Sequence, residues 1–262
     1  MKLAQARVLK HEPVGSSPYR LLALAAPAVA AAVRPGQFVH LRVPNLDGSL
    51  LRRPFSVFRA DDQKFSILYK PVGRGTQAMT ALAEDQEVSV IGPLGNGFPL
   101  DHGDRLPGLV AGGYGVAPLC LLASRLAGKG LVFIGGASAA DVLCVADFKK
   151  LGWQVAVTTV DGTLGEKGLV TDALDRWLEK RAADRAPEFY ACGPDGMLRA
   201  VGQRAIRGAW KAWLSMDKRM GCGVGACLAC VQKVRLADGS VIWKRVCRDG
   251  PVFEAREIVW DA

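Results

Sequence analysis

Met220-Gly221-Cys222-Gly223-Val224-Gly225-Ala226-Cys227-Leu228-Ala229-Cys230, completed by Cys247, is the stretch from which the rest of this chain is best read. The four cysteines Cys222, Cys227, Cys230 and Cys247 follow a C-x4-C-x2-C-x16-C pattern. Four thiolates at this spacing suit a [2Fe–2S] cluster. The glycines at 221, 223 and 225 suit a loop that wraps a cluster closely, because they accept unusual backbone angles and let N–H groups approach sulfur. Structural zinc is the alternative, but its usual pattern is two separated C-x2-C knuckles. Here three ligands crowd one nine-residue loop and a single cysteine returns later, which favours iron–sulfur over zinc, with disulfides a third reading. A cluster implies one-electron chemistry, so electrons must enter and leave elsewhere.

The 262 residues are enough for two compact domains or three small ones, and with half of them hydrophobic the chain can bury real cores. Residues 1–20 show no secretory pattern. The longest apolar stretch, 21–33, is too short to span a bilayer and is interrupted by Pro27. Seven cysteines, an odd count with four assigned to a cluster, fit a reducing compartment, so a cytoplasmic protein is expected. The net charge of +9 is spread along the chain without a dense basic run or a nucleic-acid module. One modest concentration, Arg199, Arg204, Arg207, Lys211, Lys218 and Arg219, reads as a solvated helix face or as a docking surface for an acidic partner.

Residues 1 to about 100 read as short strands at 4–10, 19–24, 37–43, 55–58, 65–69 and 87–91, separated by breaks at 13–15, 34–36, 44–48 and 92–97. Strands without convincing helices suggest a small antiparallel barrel. From about Leu106 the pattern changes. Strands at 109–111, 131–134, 154–159 and 188–191 alternate with helices at 116–126, 139–149, 170–181 and 197–206, predicting a parallel sheet covered on both faces. A hairpin, 230–236 with 241–246 around Asp238-Gly239, closes the chain.

Several short motifs carry chemistry. Arg53-Pro54-Phe55-Ser56 opens a strand with a donor fork suited to a diphosphate and a hydroxyl beside it, although an arginine at a strand start is also an ordinary exposed charge. Leu68-Tyr69-Lys70 precedes Gly73-Arg74-Gly75-Thr76, where a Gly-rich segment entering a helix through Met79 and Leu82 can offer N–H groups to phosphate, or can simply be a capped turn. Gly112-Gly113-Tyr114-Gly115 follows a strand and opens a helix, the place where α/β sheets bind nucleotides, without being a G-x-G-x-x-G fingerprint. Cys192-Gly193-Pro194 ends another strand at the same end of the sheet; a cysteine there also reads as packing, as do Cys120 and Cys144 on apolar helix faces. His11, His40 and His102 sit apart and suggest no metal site, and no histidine–carboxylate set is evident, so no acid–base catalytic residue is assigned.

Together these pieces resemble the ferredoxin–NADP reductase superfamily over nearly the whole chain. Within it they look most like the electron transfer subunits of class 1B (NAD-dependent) dihydroorotate dehydrogenases. The segments 53–56, 68–70 and 75–76 match that family's flavin-contacting motifs; 111–118 and 191–194 match its nicotinamide-site segments; 161–174 resembles the stretch before its next helix; and 220–230 with 245–253 is the most specific match. Tyr114 departs from the family, which usually has a small aliphatic residue there. The resemblance implies an antiparallel FAD-binding β-barrel (1–101), a Rossmann-like parallel α/β NAD-binding domain (102–212) and a small [2Fe–2S] domain (213–262). It implies flavin contacts at Arg53, Pro54, Phe55, Ser56, Leu68, Tyr69, Lys70, Gly75 and Thr76. Nicotinamide contacts are implied at Gly112, Gly113, Gly115, Cys192, Gly193 and Pro194, and cluster ligation by Cys222, Cys227, Cys230 and Cys247.

The implied function is electron transfer from the FMN of a dihydroorotate dehydrogenase partner through the cluster and FAD to NAD+, in de novo pyrimidine synthesis, within a heterotetramer of two of each subunit. A related reductase subunit of a hydrogenase, a sulfite reductase or a ferredoxin:NADP oxidoreductase is the runner-up. A colourless zinc-stapled binding module is the non-enzymatic alternative. NAD is preferred to NADP because 135–141 offers no cation for a 2′-phosphate before Lys149.

Overall fold

Alternation of inward and outward residues along three of its strands helps build the first sheet. In the computed structural model, β1 (Lys2–Pro13) turns Ala6 and Val8 inward, β2 (Arg20–Ala25) turns Leu22 and Leu24 inward, and β7 (Glu87–Leu94) alternates buried and part-exposed positions along its length. With β3 (Phe38–Leu41), β4 (Arg53–Ser56), β5 (Arg59–Ala60) and β6 (Lys64–Tyr69) they form a seven-stranded antiparallel sheet in the order β4-β3-β7-β1-β2-β6-β5. The sheet curls until β4 approaches β6, and α1 (Pro27–Ala30) plugs the core with Val29 and Ala30. The structure describes residues 1–44, 46, 48, 50–181 and 185–260. Positions 45 and 47 of the expected 44–48 break, residues 182–184 of the expected 102–212 domain and the last two residues of the expected 213–262 domain lie outside the described residues.

The second sheet has the near-continuous apolar strands of a sheet buried on both faces. β8 (Leu106–Gly112), β9 (Leu131–Gly136), β10 (Gln154–Thr159), β11 (Glu166–Lys167), β12 (Pro187–Cys192) and β13 (Lys211–Ser215) run parallel. The order is β11-β10-β9-β8-β12-β13, with β16 (Val252–Glu254) antiparallel at the edge. On β8, Leu109 and Ala111 face the core built on α3 (Val116–Arg125) and on Phe148 of α4 (Val145–Lys150). Val110 between them faces the core built on α5 (Val170–Lys180) and α6 (Asp195–Arg207). The chain first builds outward from β8 to one side and then returns to β12 on the other. The switch point of the sheet therefore lies between β8 and β12.

β5, β11 and β16 were not expected as strands, and three further features depart from the sequence expectation. β13 was not expected; its apolar Ala212 and Leu214 pair it with β12, with charged Lys211 at its exposed end. The expected helix 139–149 is a 3₁₀ turn, Ala139–Asp141, followed by the shorter α4. Cys144, expected on an apolar helix face, instead enters α4 from the left-handed region at φ 64°. The helix expected through Met79 and Leu82 is α2 (Arg74–Ala78) continued by a 3₁₀ turn, Met79–Ala81, which leaves Leu82 outside.

The expected hairpin is present as β14 (Val231–Arg235) and β15 (Val241–Arg245), and α7 (Val246–Asp249) carries Cys247. Cys230, Val234, Val246 and Cys247 join the core of the parallel sheet together with Phe38 and Leu94 of the barrel. One apolar cluster thus ties the three regions together. Among the described residues, no helix is long and apolar enough to cross a membrane.

Candidate functional site

The antiparallel barrel and the parallel sheet meet over a cavity of ≈ 280 Å³. From the barrel it is lined by Phe38, Pro54, Phe55, Ser56, Leu68, Tyr69, Lys70 and Thr76, and from the sheet by Tyr114, Gly115, Cys192 and Met216. Tyr69 is buried and held at its hydroxyl, 2.9 Å from His11 Nε2. The His11 ring is fixed in turn, since Nδ1 donates to the Leu82 carbonyl at 2.8 Å and Arg20 Nε donates to Nε2 at 3.1 Å. Aromatic and apolar walls with a few convergent polar groups suit a flat ring system carrying a polar tail. Arg53 stands just outside this cavity, beside Leu51, Arg52, Lys218 and Arg219. A Cβ on Gly75 would lie 2.7 Å from Arg53 Nε, so the bare glycine is what lets the guanidinium lie across the start of α2. Thr76 spends its hydroxyl on the local cap, accepting from Val72 and Gly73 N–H at 2.9 and 3.1 Å.

A second cavity, ≈ 600 Å³, opens at the switch point. Gly112, Gly113 and Pro194 line it, with Gly135, Gly136 and Val160 from the ends of β9 and β10. The loops after β8 and β12 touch through glycine: a Cβ at Gly112 would lie 2.7 Å from Pro194 Cδ, and one at Gly193 3.0 Å from Gly112 Cα. Of the residues expected to contact nicotinamide, Gly115 and Cys192 line the first cavity rather than the second, and Gly193 lines neither. The two cavities share Lys70, Val72 and Tyr114, so occupants of the two would meet at these residues. Burial pushes the Cys192 thiol up to about 12, leaving it a neutral wall group rather than a nucleophile.

Sequence reasoning missed the polar node at this junction. Asp141 Oδ1 receives Lys70 Nζ at 3.0 Å and the Tyr19 hydroxyl at 3.0 Å, with Lys70 lying 5.3 Å from the centre of the Tyr19 ring. Burial alone would raise the Asp141 carboxyl, but the hydrogen bonds from Lys70 and Tyr19 hold it below the usual carboxylate range. The three residues are far apart in sequence, and no local signal unites them. Tyr114, the departure from the family pattern, is exposed and donates its hydroxyl to Asp217 Oδ2 at 3.2 Å.

The cysteine loop closes the wall of the first cavity at Met220. Its thiols stand as two pairs. Cys222 Sγ accepts N–H groups from Val224, Ala226 and Cys227 at 3.2–3.4 Å, and Cys227 Sγ accepts the Cys222 N–H at 3.4 Å. Cys230 Sγ accepts the Cys247 N–H at 3.4 Å, and these two thiols are hydrogen-bonded to each other. Burial would raise the Cys222 thiol, but the loop N–H groups and Cys227 draw it down to about 6. Cys247 is pushed up to about 12 by burial and by Cys230. Two pairs of thiols, with Cys222 already favoured as thiolate by backbone N–H groups, suit two irons. Each loop glycine marks a close approach. A Cβ at Gly221 would lie 3.2 Å from Cys227 Sγ, one at Gly225 2.8 Å from Arg248 Cδ, and one at Gly223 would overlap the His40 ring.

The basic concentration is divided by the fold. Arg204 makes a two-pronged pair with Asp175 of α5 at 2.6 and 2.5 Å, Lys218 pairs with Asp195 at 2.9 Å, and Lys211 lies on β13.

A curled antiparallel sheet, a parallel sheet with a cavity at its switch point and a C-terminal four-thiol loop define a class: ferredoxin reductase-like flavin and nicotinamide oxidoreductases extended by an iron–sulfur segment. The comparisons agree. Residues 217–259 match the model of the iron-sulfur cluster binding domain of dihydroorotate dehydrogenase B. A solved structure titled as an NADH-dependent reduced ferredoxin-NADP oxidoreductase superposes with a TM-score of 0.84 at 29% identity, covering 98% of this chain and 90% of the other. The dihydroorotate dehydrogenase B (NAD(+)) electron transfer subunit of Geobacillus sp. (strain WCH70) is 39% identical over 99% of both chains, and that of Bacillus cereus (strain B4264) is 39% identical over 96% of both. The chain belongs to the family of dihydroorotate dehydrogenase B electron transfer subunits.

Proposed function

We propose that this chain passes electrons from the FMN of a dihydroorotate dehydrogenase catalytic subunit, by way of a [2Fe–2S] cluster and FAD, to NAD+, in de novo pyrimidine synthesis. The observation that carries the proposal is the adjacency of three sites: the first cavity shares Lys70, Val72 and Tyr114 with the second and is walled by Met220 at the start of the cysteine loop. FAD supplies the exchange between hydride and single electrons, and the cluster a one-electron relay. The chain's own residues bind, orient and exclude water. In this reading Pro54, Phe55, Ser56, Leu68, Tyr69 and Lys70 hold the flavin, with Arg53 and Gly75 at its diphosphate. Gly112, Gly113 and Pro194 admit the dinucleotide, Gly115 and Cys192 wall the meeting point, and Cys222, Cys227, Cys230 and Cys247 hold the cluster. The division 1–101, 102–212 and 213–262 is the corresponding proposal for domains.

A subunit of this family works with a catalytic partner. We infer that the partner is the FMN-containing subunit, in a cytoplasmic heterotetramer of two of each. Exposed Leu228 beside exposed Cys227, and Val241, Ile242 and Trp243 on β15, support docking at the cluster end.

The test is anaerobic co-expression with the candidate partner. The expected outcome is a coloured complex with equal FAD and FMN, two irons per chain of this type, and dihydroorotate-dependent reduction of NAD+. A preparation with neither flavin nor cluster overturns the reading. Likeness to the ferredoxin-NADP oxidoreductase structure favours a second reading, a reductase subunit serving another redox partner. Co-purification of such a partner, without dihydroorotate activity, would establish it instead.

A further inference from the structure

His40 occupies the wall between the first cavity and the cysteine loop. On β3 it is in register with Pro54 of β4, and Phe38, two residues earlier on the same strand, meets it edge-on with ring centres 6.3 Å apart. Phe38 and Pro54 both line the first cavity. The other side of the imidazole faces Gly223, whose φ of +70° and missing Cβ let the loop backbone lie against Nδ1 and Cε1. The ring is wholly buried, yet neither nitrogen has a hydrogen-bond partner among the described residues. Buried polar atoms are nearly always satisfied, so an unspent Nδ1 facing the loop calls for a partner. An imidazole carries at least one ring N–H in either protonation state, and Nδ1 lies against Gly223, next to Cys222.

We propose that His40 is a positioning residue for the cluster: its ring N–H donates to the Cys222–Gly223 side of the ligated loop, seating the cluster against the flavin wall and raising its reduction potential. The direction follows from charge. Reduction adds an electron to the cluster, and an N–H dipole aimed at it stabilises the more negative form. The inference rests on the cluster assignment above and goes beyond it by naming a group outside the cysteine set. The other two histidines are engaged elsewhere, His11 with Leu82 and Tyr69 and His102 with the Ala127 carbonyl.

The deciding measurement uses the unaltered protein, reconstituted with its cluster and labelled with [15N]histidine. Pulsed EPR of the reduced cluster is expected to show a weak 15N coupling, which is lost in His40→Gln. A loaded cluster with no histidine coupling overturns this inference while leaving the cluster assignment standing; a chain that loads no cluster overturns both. EPR-monitored redox titration supplies the second readout. The cluster potential should fall in His40→Phe with the flavin potential unmoved, and His40→Gln, which keeps an N–H donor, should recover most of the fall. An unshifted potential in His40→Phe, or an equal fall in His40→Gln, overturns the proposal. If His40→Phe loads no cluster, the coupling in the labelled protein decides.

Discussion

Lys70 and Asp141 join the antiparallel barrel to the parallel sheet, Nζ to Oδ1 at 3.0 Å, at the one place where the two cavities share a cation. Asp141→Asn should therefore loosen the seam, at about 1 kcal/mol given the part exposure of the pair. The folded carboxyl titrates below its unfolded value, so its stabilisation is complete above the unfolded value near 3.9 and is lost as pH falls through the folded one. Urea unfolding of wild type and variant should differ at pH 7 and converge in acid. A difference that persists in acid would assign the effect to packing instead.

Cys227→Ser should abolish the cluster absorption and EPR signal while FAD remains bound, because Cys227 is exposed in the loop and touches neither cavity. An intact cluster in this variant removes Cys227 from the ligand set.

Arg53→Ala should weaken FAD by about 1.5–3 kcal/mol for each charged hydrogen bond lost, roughly ten- to hundredfold in Kd. Gly75→Ala should reproduce part of that loss without touching the guanidinium chemically, since its Cβ would meet Arg53 Nε at 2.7 Å and displace it. Flavin retention measured by gel filtration and absorbance checks both; unchanged retention in Arg53→Ala takes the residue out of the site.

NADH should exceed NADPH in kcat/KM by at least about tenfold, which is ~1.4 kcal/mol. Lys70 is the one cation among the described residues lining the second cavity, and Asp141 already holds it, so nothing there is free to receive a 2′-phosphate. Equal values for the two cofactors would refute the preference.

Leu228→Asp and Trp243→Glu place charge on exposed apolar positions near the cluster. Together they should lower recovery of the partner subunit at least tenfold in co-purification, with NADH-dependent reduction of an artificial dye by the chain alone unchanged. Undiminished recovery would move the docking surface elsewhere.

Local signals carried much of the architecture. Short strands separated by turn breaks in residues 1 to about 100, and apolar strands alternating with helices from Leu106 onward, announce the two sheets. The hairpin around Asp238-Gly239 was legible from its turn, and the cysteine spacing from ligand chemistry alone. β13 was not legible, because a short strand beside β12 has no periodicity of its own to distinguish it from a loop. Nor was the break at Cys144, which follows an Asp141 bound to Lys70 and Tyr19, residues more than seventy positions away in sequence.

By itself the sequence determined which chemistries the chain can host, since ligand type, glycine placement and strand endings are properties of a few neighbouring residues. The tertiary structure alone decided how those chemistries are joined. It set Tyr19, Lys70 and Asp141 at one node, placed His40 between Phe38 and Gly223, and sorted four thiols into two pairs. Contacts between residues distant in the chain depend on how two sheets and a loop pack, and no window of sequence contains that geometry.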